Sequence, residues 1–412
     1  MNLYIFNKSS IAAAFGVGTY IHELTEALRY SNINVCVINI WSDKPQIQSE
    51  EINGINHWYF PEPLREQRTT DQQKQLDLYH RNIVYLLQLL IKDKKKLIFH
   101  LNYLDCKPMA DSLKAVFNCR IITSIHYFNW CFTLFGNVTR FRKIITSKDN
   151  DPFNNKIEKL YREDKELLKT VDHVICLSES TRNLLTDYYQ VEQNKITLIY
   201  NYVSDSASDK DQLKLRHKYH IPDVPIIIFA GRIDDIKGLE YALRAFKIVL
   251  ALHTHCHFII AGDGMFREYM QECEDIWTYI TWTGLINRDK LYDLYAIADI
   301  GIMPSFHEQC SFVAIEMMMH GIPIIGSTST GLKEMIIDGE TGLHIPVIEC
   351  DDRAEMDTDL LAEKMLYLLQ HPNETKKMGQ NARRRYLEIY SSEIFRKNML
   401  NEYKSIWAAT GK

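Results

Sequence analysis

Glu308 and Glu316 stand with seven residues between them in the stretch Pro304–Pro323, PSFHEQCSFVAIEMMMHGIP. The stretch reads as a strand end, a polar loop, and an amphipathic helix stopped by Gly321 and Pro323. With Ser311 as its start, that helix offers free backbone N–H groups and a positive dipole end to an anion. Glu308 falls in the loop. Glu316 lies one to two turns in, too deep to cap, and is placed to accept hydrogen bonds from hydroxyls of the same ligand. A phosphate at the helix end with a diol beside it outlines a sugar nucleotide.

Cations that suit such a ligand occur in IIIFAGRIDDIKGLEYALRAF, residues 226–246. A buried strand ends at Gly231, Arg232 follows in a short loop, and Lys237 and Gly238 open the next helix. Arginine offers a planar fork and lysine a point charge, and together they can neutralise a diphosphate. Ala261-Gly262-Asp263-Gly264 and Thr283-Gly284-Leu285-Ile286 mark further strand ends where backbone can meet a ligand. His126 directly follows the strand 120–125, at the carboxyl end where open α/β sheets place ligands; a lone histidine at such a position is more often structural than catalytic. Gly16 and Gly18 form a G-x-G at a strand-to-helix transition, without the third glycine of a dinucleotide fingerprint. His253, His255, Cys256 and His257 lack the separated pairs of a closed zinc site. Asp209-Lys210-Asp211 and Asp357-Thr358-Asp359 precede helices, where aspartate is a natural cap.

These residues need a frame, and the chain supplies one. Its 412 residues suit two domains of about 200 residues each. Short β-type runs alternate with helical patterns, which predicts parallel sheets covered on both faces. Strands are expected near residues 3–6, 34–40, 97–101, 120–125, 173–177 and 196–200, then 226–230, 257–261, 279–283, 300–304 and 323–326. The polar run Asn201–Asp211 reads as a linker, and after Asp357 the pattern is helical to the end. Val17, Tyr20, Ile21, Leu24 and Leu28 fall on one face of the first helix.

Composition narrows the class. Hydrophobic residues make up 46% and charged residues 25%, as in a globular protein, and no apolar run approaches the roughly 20 residues that span a bilayer. The start, MNLYIFNKSS, shows no leader pattern, and nine scattered cysteines without a C-x-x-C pair predict reduced thiols in a cytoplasmic protein. A net charge of −5 argues against nucleic acid as a partner. Residues 1–200 carry 25 Lys+Arg against 22 Asp+Glu, so the first half is the one suited to an anionic surface. Its aromatic-then-basic segment, YFNWCFTLFGNVTRFRK, suits an acceptor groove or a membrane interface; a loop and helix packed on the domain with a solvated basic edge explains it as well. Lys92–Lys96 reads as a solvated helix end.

In order and spacing, several motifs resemble the retaining group 1 (family 4) glycosyltransferases. They are G-R-x-x-x-x-K-G at Gly231–Gly238, A-G-D-G at Ala261–Gly264, E-x7-E from Glu308 to Glu316, H-G-I-P at His320–Pro323, and G-x-x-E with the later D-G-x-T-G at Gly331–Gly342. F-G-V-G-T-Y at Phe15–Tyr20 and the His126 position extend the resemblance thinly into the first half. It implies a GT-B fold, α/β, with two Rossmann-like parallel-sheet domains facing each other across a cleft and C-terminal helices. An acceptor-binding domain is then expected over 1–200, a linker over 201–211, a donor-binding domain over 212–390, and a last helix, 391–412, crossing back to the first domain.

The resemblance also implies roles. Arg232 and Lys237 hold the donor diphosphate, Glu316 the ribose hydroxyls, and the backbone at Ser311, Phe312 and Val313 a phosphate. Glu308 contacts the transferred sugar, His126 reaches it from the other domain, and Gly16, Gly262 and Gly264 admit the phosphates. Ile286 lies against the base. The activity implied is a metal-independent, cofactor-free hexosyl- or N-acetylhexosaminyltransferase, moving sugar from a nucleotide-sugar, UDP-linked, to a glycan, lipid-linked or peptide acceptor. The site is expected in the cytoplasm or at the inner membrane face, with peripheral membrane contact through the N-terminal domain. Phe15 replaces the first of two glycines, and Gln309-Cys310 the usual Gly-Phe beside the sugar. A non-catalytic binding or chaperone subunit of this fold is the alternative, against which the intact set Arg232, Lys237, Glu308 and Glu316 argues.

Overall fold

Alternating apolar runs and helices form two separate parallel sheets, each in its own compact unit. The computed structural model describes residues 1–8, 16–63, 72–147, 151–207 and 210–408; Phe15 and Asp209 fall outside them. The first unit comprises Met1–Phe128, Ser147–Asn201 and Ser392–Lys412, and the second Asn129–Thr146 and Tyr202–Ser391.

In the first unit the strands are β1 (Asn2–Lys8), β2 (Asn34–Ser42), β3 (Gln48–Ile52), β4 (Ile55–Pro61), β5 (Leu97–Leu101), β6 (Cys119–Ile125), β7 (His173–Cys176) and β8 (Ile196–Leu198). Their order is β3-β4-β2-β1-β5-β6-β7-β8, parallel except for the β3–β4 pair. The sequence pattern misses that hairpin, although Asn53-Gly54 signals it. Both residues have positive φ, 53° and 79°, as a type I′ turn demands. The expected face of the helix Gly16–Leu28 is buried as read: Val17, Tyr20, Ile21, Leu24 and Leu28 are each at most 5% exposed. The last helix, Ser392–Ala408, belongs to this unit, where the Tyr403 hydroxyl lies 2.7 Å from His100 Nδ1.

The second unit contains β9 (Ile226–Ala230), β10 (His257–Ala261), β11 (Ile280–Gly284), β12 (Ile300–Met303), β13 (Ile324–Ser327) and β14 (Gly342–Ile345), in the order β11-β10-β9-β12-β13-β14. The apolar run of β9, IIIFA, is buried throughout, as a central parallel strand must be. The helix Leu239–Leu252 buries Leu239, Leu243, Phe246 and Leu250, spaced at three and four residues, in the core with Phe229 and Phe258. Each such side chain contributes about 1.5–3 kcal/mol of burial before entropy is subtracted. Asp211 and Asp357 cap their helices, accepting from the backbone N–H of Lys214 and Leu360.

Two expectations change, and for the aromatic-then-basic segment the packed reading is the one that holds. Residues Asn129–Thr146 belong to the second unit, although a boundary at residue 200 assigns them to the first. The reason is specific pairing: Glu349 accepts from the backbone N–H groups of Val138 and Thr139, and Asn137 donates to the carbonyls of Cys350 and Arg353. Within the aromatic-then-basic segment Phe128, Trp130 and Phe141 are core, the last two stacking at 3.9 Å, while Phe132 is exposed. Two of its cations make exposed contacts, Lys143 with Asp351 and Arg140 with the Asp352 carbonyl, so the basic edge is solvated. The start of the supposed linker is also packed. Tyr202 and Val203 are buried, the Tyr386 hydroxyl donates to the Val203 carbonyl, and Arg383 pairs with Asp205.

Candidate active site

The strand order of the second unit reverses between β9 and β12, and in open α/β sheets ligands bind beyond the carboxyl ends of the strands at such a point. The loop after β9 carries Arg232 and Lys237; the loop after β12 carries Glu308. Two devices bind the loops to each other. The Phe306 N–H donates to the Ile236 carbonyl at 2.8 Å. Gly238, at φ 65°, lies where a Cβ would stand 2.1 Å from the Pro304 carbonyl. Lys237 is thereby brought onto Glu308, and the ammonium and carboxylate form an ion pair that is largely shielded from solvent. Arg232 pairs at 2.9 Å with Asp234 on its own loop. Burial pushes the Asp234 carboxyl up, against the lowering effect of Arg232 and Lys237.

The glycines of A-G-D-G shape this loop. A Cβ on Gly262 would stand 1.7 Å from the Gly231 carbonyl, and one on Gly264 2.2 Å from that of Ile233. Their missing side chains make room for the backbone around Arg232, so the close approach they allow is made by protein. Gly16 differs: it is exposed at the start of its helix, and among the described residues no atom lies within 4 Å of a Cβ built there.

Ser311 caps the helix Phe312–Met319, its hydroxyl accepting from the Ala314 N–H. Ala314–Met319 are buried on every side, so this helix is a core element rather than an amphipathic one. Phe312 and Val313, in its first turn, are half-buried. Glu316 points inward, taking the Tyr292 hydroxyl at 3.2 Å, with Arg288 Nε at 3.6 Å. Burial and then Glu316 raise the Tyr292 phenol well above its ordinary range, which keeps it a donor. Ile286 is half-buried just before Asn287, the cap of the helix bearing Arg288 and Tyr292. Gln309 and Cys310 are both buried. The Glu308 carbonyl accepts from the Gly331 N–H at 2.7 Å and from the Thr330 hydroxyl, which fixes the loop from behind.

Lys237, Glu308, Arg232 and Ser311 therefore gather at one end of the second sheet, while His126 and Gly16 belong to the first unit. Sequence reasoning missed Asp234, Arg288, Tyr292 and Thr330. Asp234 was legible as a carboxylate inside the G-R-x-x-x-x-K-G loop; the others depend on neighbours distant in sequence. In the cluster His253–His257, His253 Nε2 bonds the His255 carbonyl at 3.2 Å, Cys256 Sγ lies 3.5 Å from the His253 carbonyl, and His257 bonds Thr281 at 2.8 Å.

Two α/β units with parallel sheets, one with a cationic loop and a capped helix beside its switch point, define a two-domain α/β architecture of the kind that binds ligands at the carboxyl ends of its strands. The family model described as "Glycosyl transferases group 1" matches residues 211–385, and "Glycosyltransferase Family 4" matches residues 15–207. The chain belongs to the group 1, family 4 glycosyltransferases, and its fold is GT-B. Sucrose-phosphate synthase from Thermosynechococcus elongatus shares the fold at TM-score 0.77 and 21% identity, over 99% of this chain and 100% of that one. HepE of Anabaena, solved with UDP-glucose, aligns at TM-score 0.74 and 14% identity, over 98% and 100%. Alpha-D-kanosaminyltransferase of Streptomyces kanamyceticus is 26% identical over 216 residues, which take in 51% of this chain and 54% of that one.

Proposed function

We propose that this glycosyltransferase moves a sugar from a uridine-linked nucleotide donor to a hydroxyl of a glycan, lipid-linked or peptide acceptor, retaining the anomeric configuration. The observation that carries the reading is the meeting of Lys237 and Glu308 beside Arg232 at the switch point of the second sheet. A cation held by a carboxylate is poised to exchange it for a diphosphate. As the glycosidic bond to the nucleotide breaks, negative charge grows on the departing diphosphate, and fixed cations aimed there lower the barrier. Arg232, Lys237 and the N–H groups after Ser311 fill that role without a metal. Glu308, released from Lys237, takes hydroxyls of the transferred sugar, and Gln309-Cys310 help to shape its pocket. A carboxylate has about four lone-pair sites, so Glu316 can accept ribose hydroxyls while keeping Tyr292. Ile286 lies against the base, with Gly262 and Gly264 supporting the Arg232 loop. The first unit contributes Gly16 toward the phosphates and His126 toward the sugar. That a GT-B protein was solved with UDP-glucose supports the choice of nucleotide.

The test is incubation with UDP-, GDP- and ADP-sugars and extracted acceptors, read by mass and by the anomeric coupling of the product. A uridine-linked donor consumed with retention is the expected result. Nucleotide binding with neither transfer nor hydrolysis would favour the non-catalytic alternative.

A second part of the proposal concerns location at the inner membrane face. No described helix is long and apolar enough to cross a membrane. The helix Gln72–Leu90 instead exposes Leu78, Tyr85 and Leu89 (58%, 58% and 69%) along one face with Arg81, and the exposed Lys92, Lys94, Lys95 and Lys96 follow. Apolar side chains beside clustered cations fit an anionic lipid surface. Vesicles rich in phosphatidylglycerol should float the protein at low salt. Reversing Lys94, Lys95 and Lys96 to glutamate should abolish flotation, and failure of the wild type to float removes this part of the proposal.

A further inference from the structure

In the first unit β5 and β6 run side by side, with His100 opposite Ile122 and Leu101 opposite Thr123. Side chains two apart share a face, so His100 and Asn102 align with Ser124 and His126. Hydrogen bonds join both pairs: His100 Nε2 to Ser124 Oγ at 2.7 Å, and His126 Nε2 to Asn102 Oδ1 at 2.9 Å. The orientation of the Asn102 amide is fixed from its other end. Its Nδ2 donates to the Phe6 carbonyl at 3.0 Å, and a carbonyl can only accept. Oδ1 must therefore be the atom that faces His126, and an oxygen there can only accept.

We infer that Asn102 is a positioning residue which holds His126 as the Nε2–H tautomer and leaves Nδ1 as a hydrogen-bond acceptor for a hydroxyl of the substrate. Among the described residues no other hydrogen bond reaches the ring. Its orientation has two supports besides Asn102. The Tyr20 ring meets it edge-on at 4.6 Å, and the Tyr20 hydroxyl is tied to Ser124 at 3.0 Å. Asn102 is 1% exposed, so water does not compete for its amide. Burial also pushes the His126 imidazole down to about 3, and His100 likewise, which keeps both rings neutral near pH 7. The ring therefore acts as a neutral acceptor and lends no positive charge to a phosphate. A second ring nitrogen that carries the proton is what sets the chemistry of the first.

The inference rests on the role proposed for His126, and its test separates the two. Long-range 1H–15N correlation on the histidine-labelled, ligand-free full chain reads the tautomer without reference to activity; the His126 signal is assigned by its loss in His126→Gln. The expected result is a proton on Nε2. Asn102→Ala should move the His126 nitrogens toward values averaged over both tautomers, leave His257 unchanged, and lower kcat/KM on the order of 10-fold, as removal of a ligand-orienting partner does. A proton on Nδ1 in the wild type overturns the inference, and so does an unchanged tautomer in Asn102→Ala. The expected tautomer together with full activity of His126→Gln would overturn the substrate role of His126 while leaving the positioning by Asn102 intact.

Discussion

Lys237→Ala is expected to cost about 2–4 kcal/mol in transition-state stabilisation, roughly 30- to 1,000-fold in kcat/KM, because it removes a fixed cation from where charge develops on the leaving diphosphate. The ion pair adds a second consequence. Lys237 is held by Glu308, whose side chain is only 12% exposed, so alanine at 237 leaves a shielded carboxylate without its cation. Stability should fall along with activity, and a single variant confounds the two. The double variant Lys237→Met with Glu308→Gln resolves them. It removes both charges and is expected to recover most of the lost unfolding temperature without recovering turnover. Steady-state kinetics with thermal unfolding on the wild type, Lys237→Ala, Glu308→Gln and the double variant makes the comparison. The Glu308→Gln variant gives the cost of losing the carboxylate itself. Turnover regained in the double variant would mean that Lys237 serves the fold alone.

Gly331→Ala is the second large effect, and its cause is steric. Gly331 has φ −75°, a conformation open to any residue, so alanine brings no backbone strain. A Cβ there would stand 1.6 Å from the Gln309 carbonyl oxygen and 3.0 Å from that of Glu308. Something must move, and the segment carrying Glu308 is what it meets. Overpacking of this kind costs about 1–3 kcal/mol in stability, and a displacement near 1 Å costs on the order of 100-fold in rate. Gly16→Ala is the control: among the described residues nothing lies within 4 Å of a Cβ built there, so its stability should stay within about 0.5 kcal/mol of wild type. If Gly331→Ala turned over normally with Glu308 undisturbed, the clamp from Thr330 and Gly331 would have no bearing on the reaction.

Both effects depend on a site that was partly legible beforehand. The residue types were readable because the chemistry is local: a cation pair after a strand, a hydroxyl cap before a helix, and a carboxylate in the intervening loop each show in a few consecutive residues. What Gly262 and Gly264 accommodate was not readable, since a glycine signals a close approach without naming the approaching atom. The two neighbours of Glu316 were hidden for a similar reason, as Tyr292 and Arg288 lie on a separate helix more than twenty residues away.

By itself the amino-acid order determined the alternation of strands and helices and the caps at Ser311, Asp211 and Asp357, because apolar periodicity and capping act over one or two turns of chain. Tertiary structure decided which strands are neighbours, and hence that the order reverses between β9 and β12. It decided that Asn129–Thr146 joins the second unit and that Lys237 meets Glu308 across 71 residues of sequence. Those outcomes come from long-range pairing and burial, where many local patterns of equal quality compete and only the packed whole selects among them.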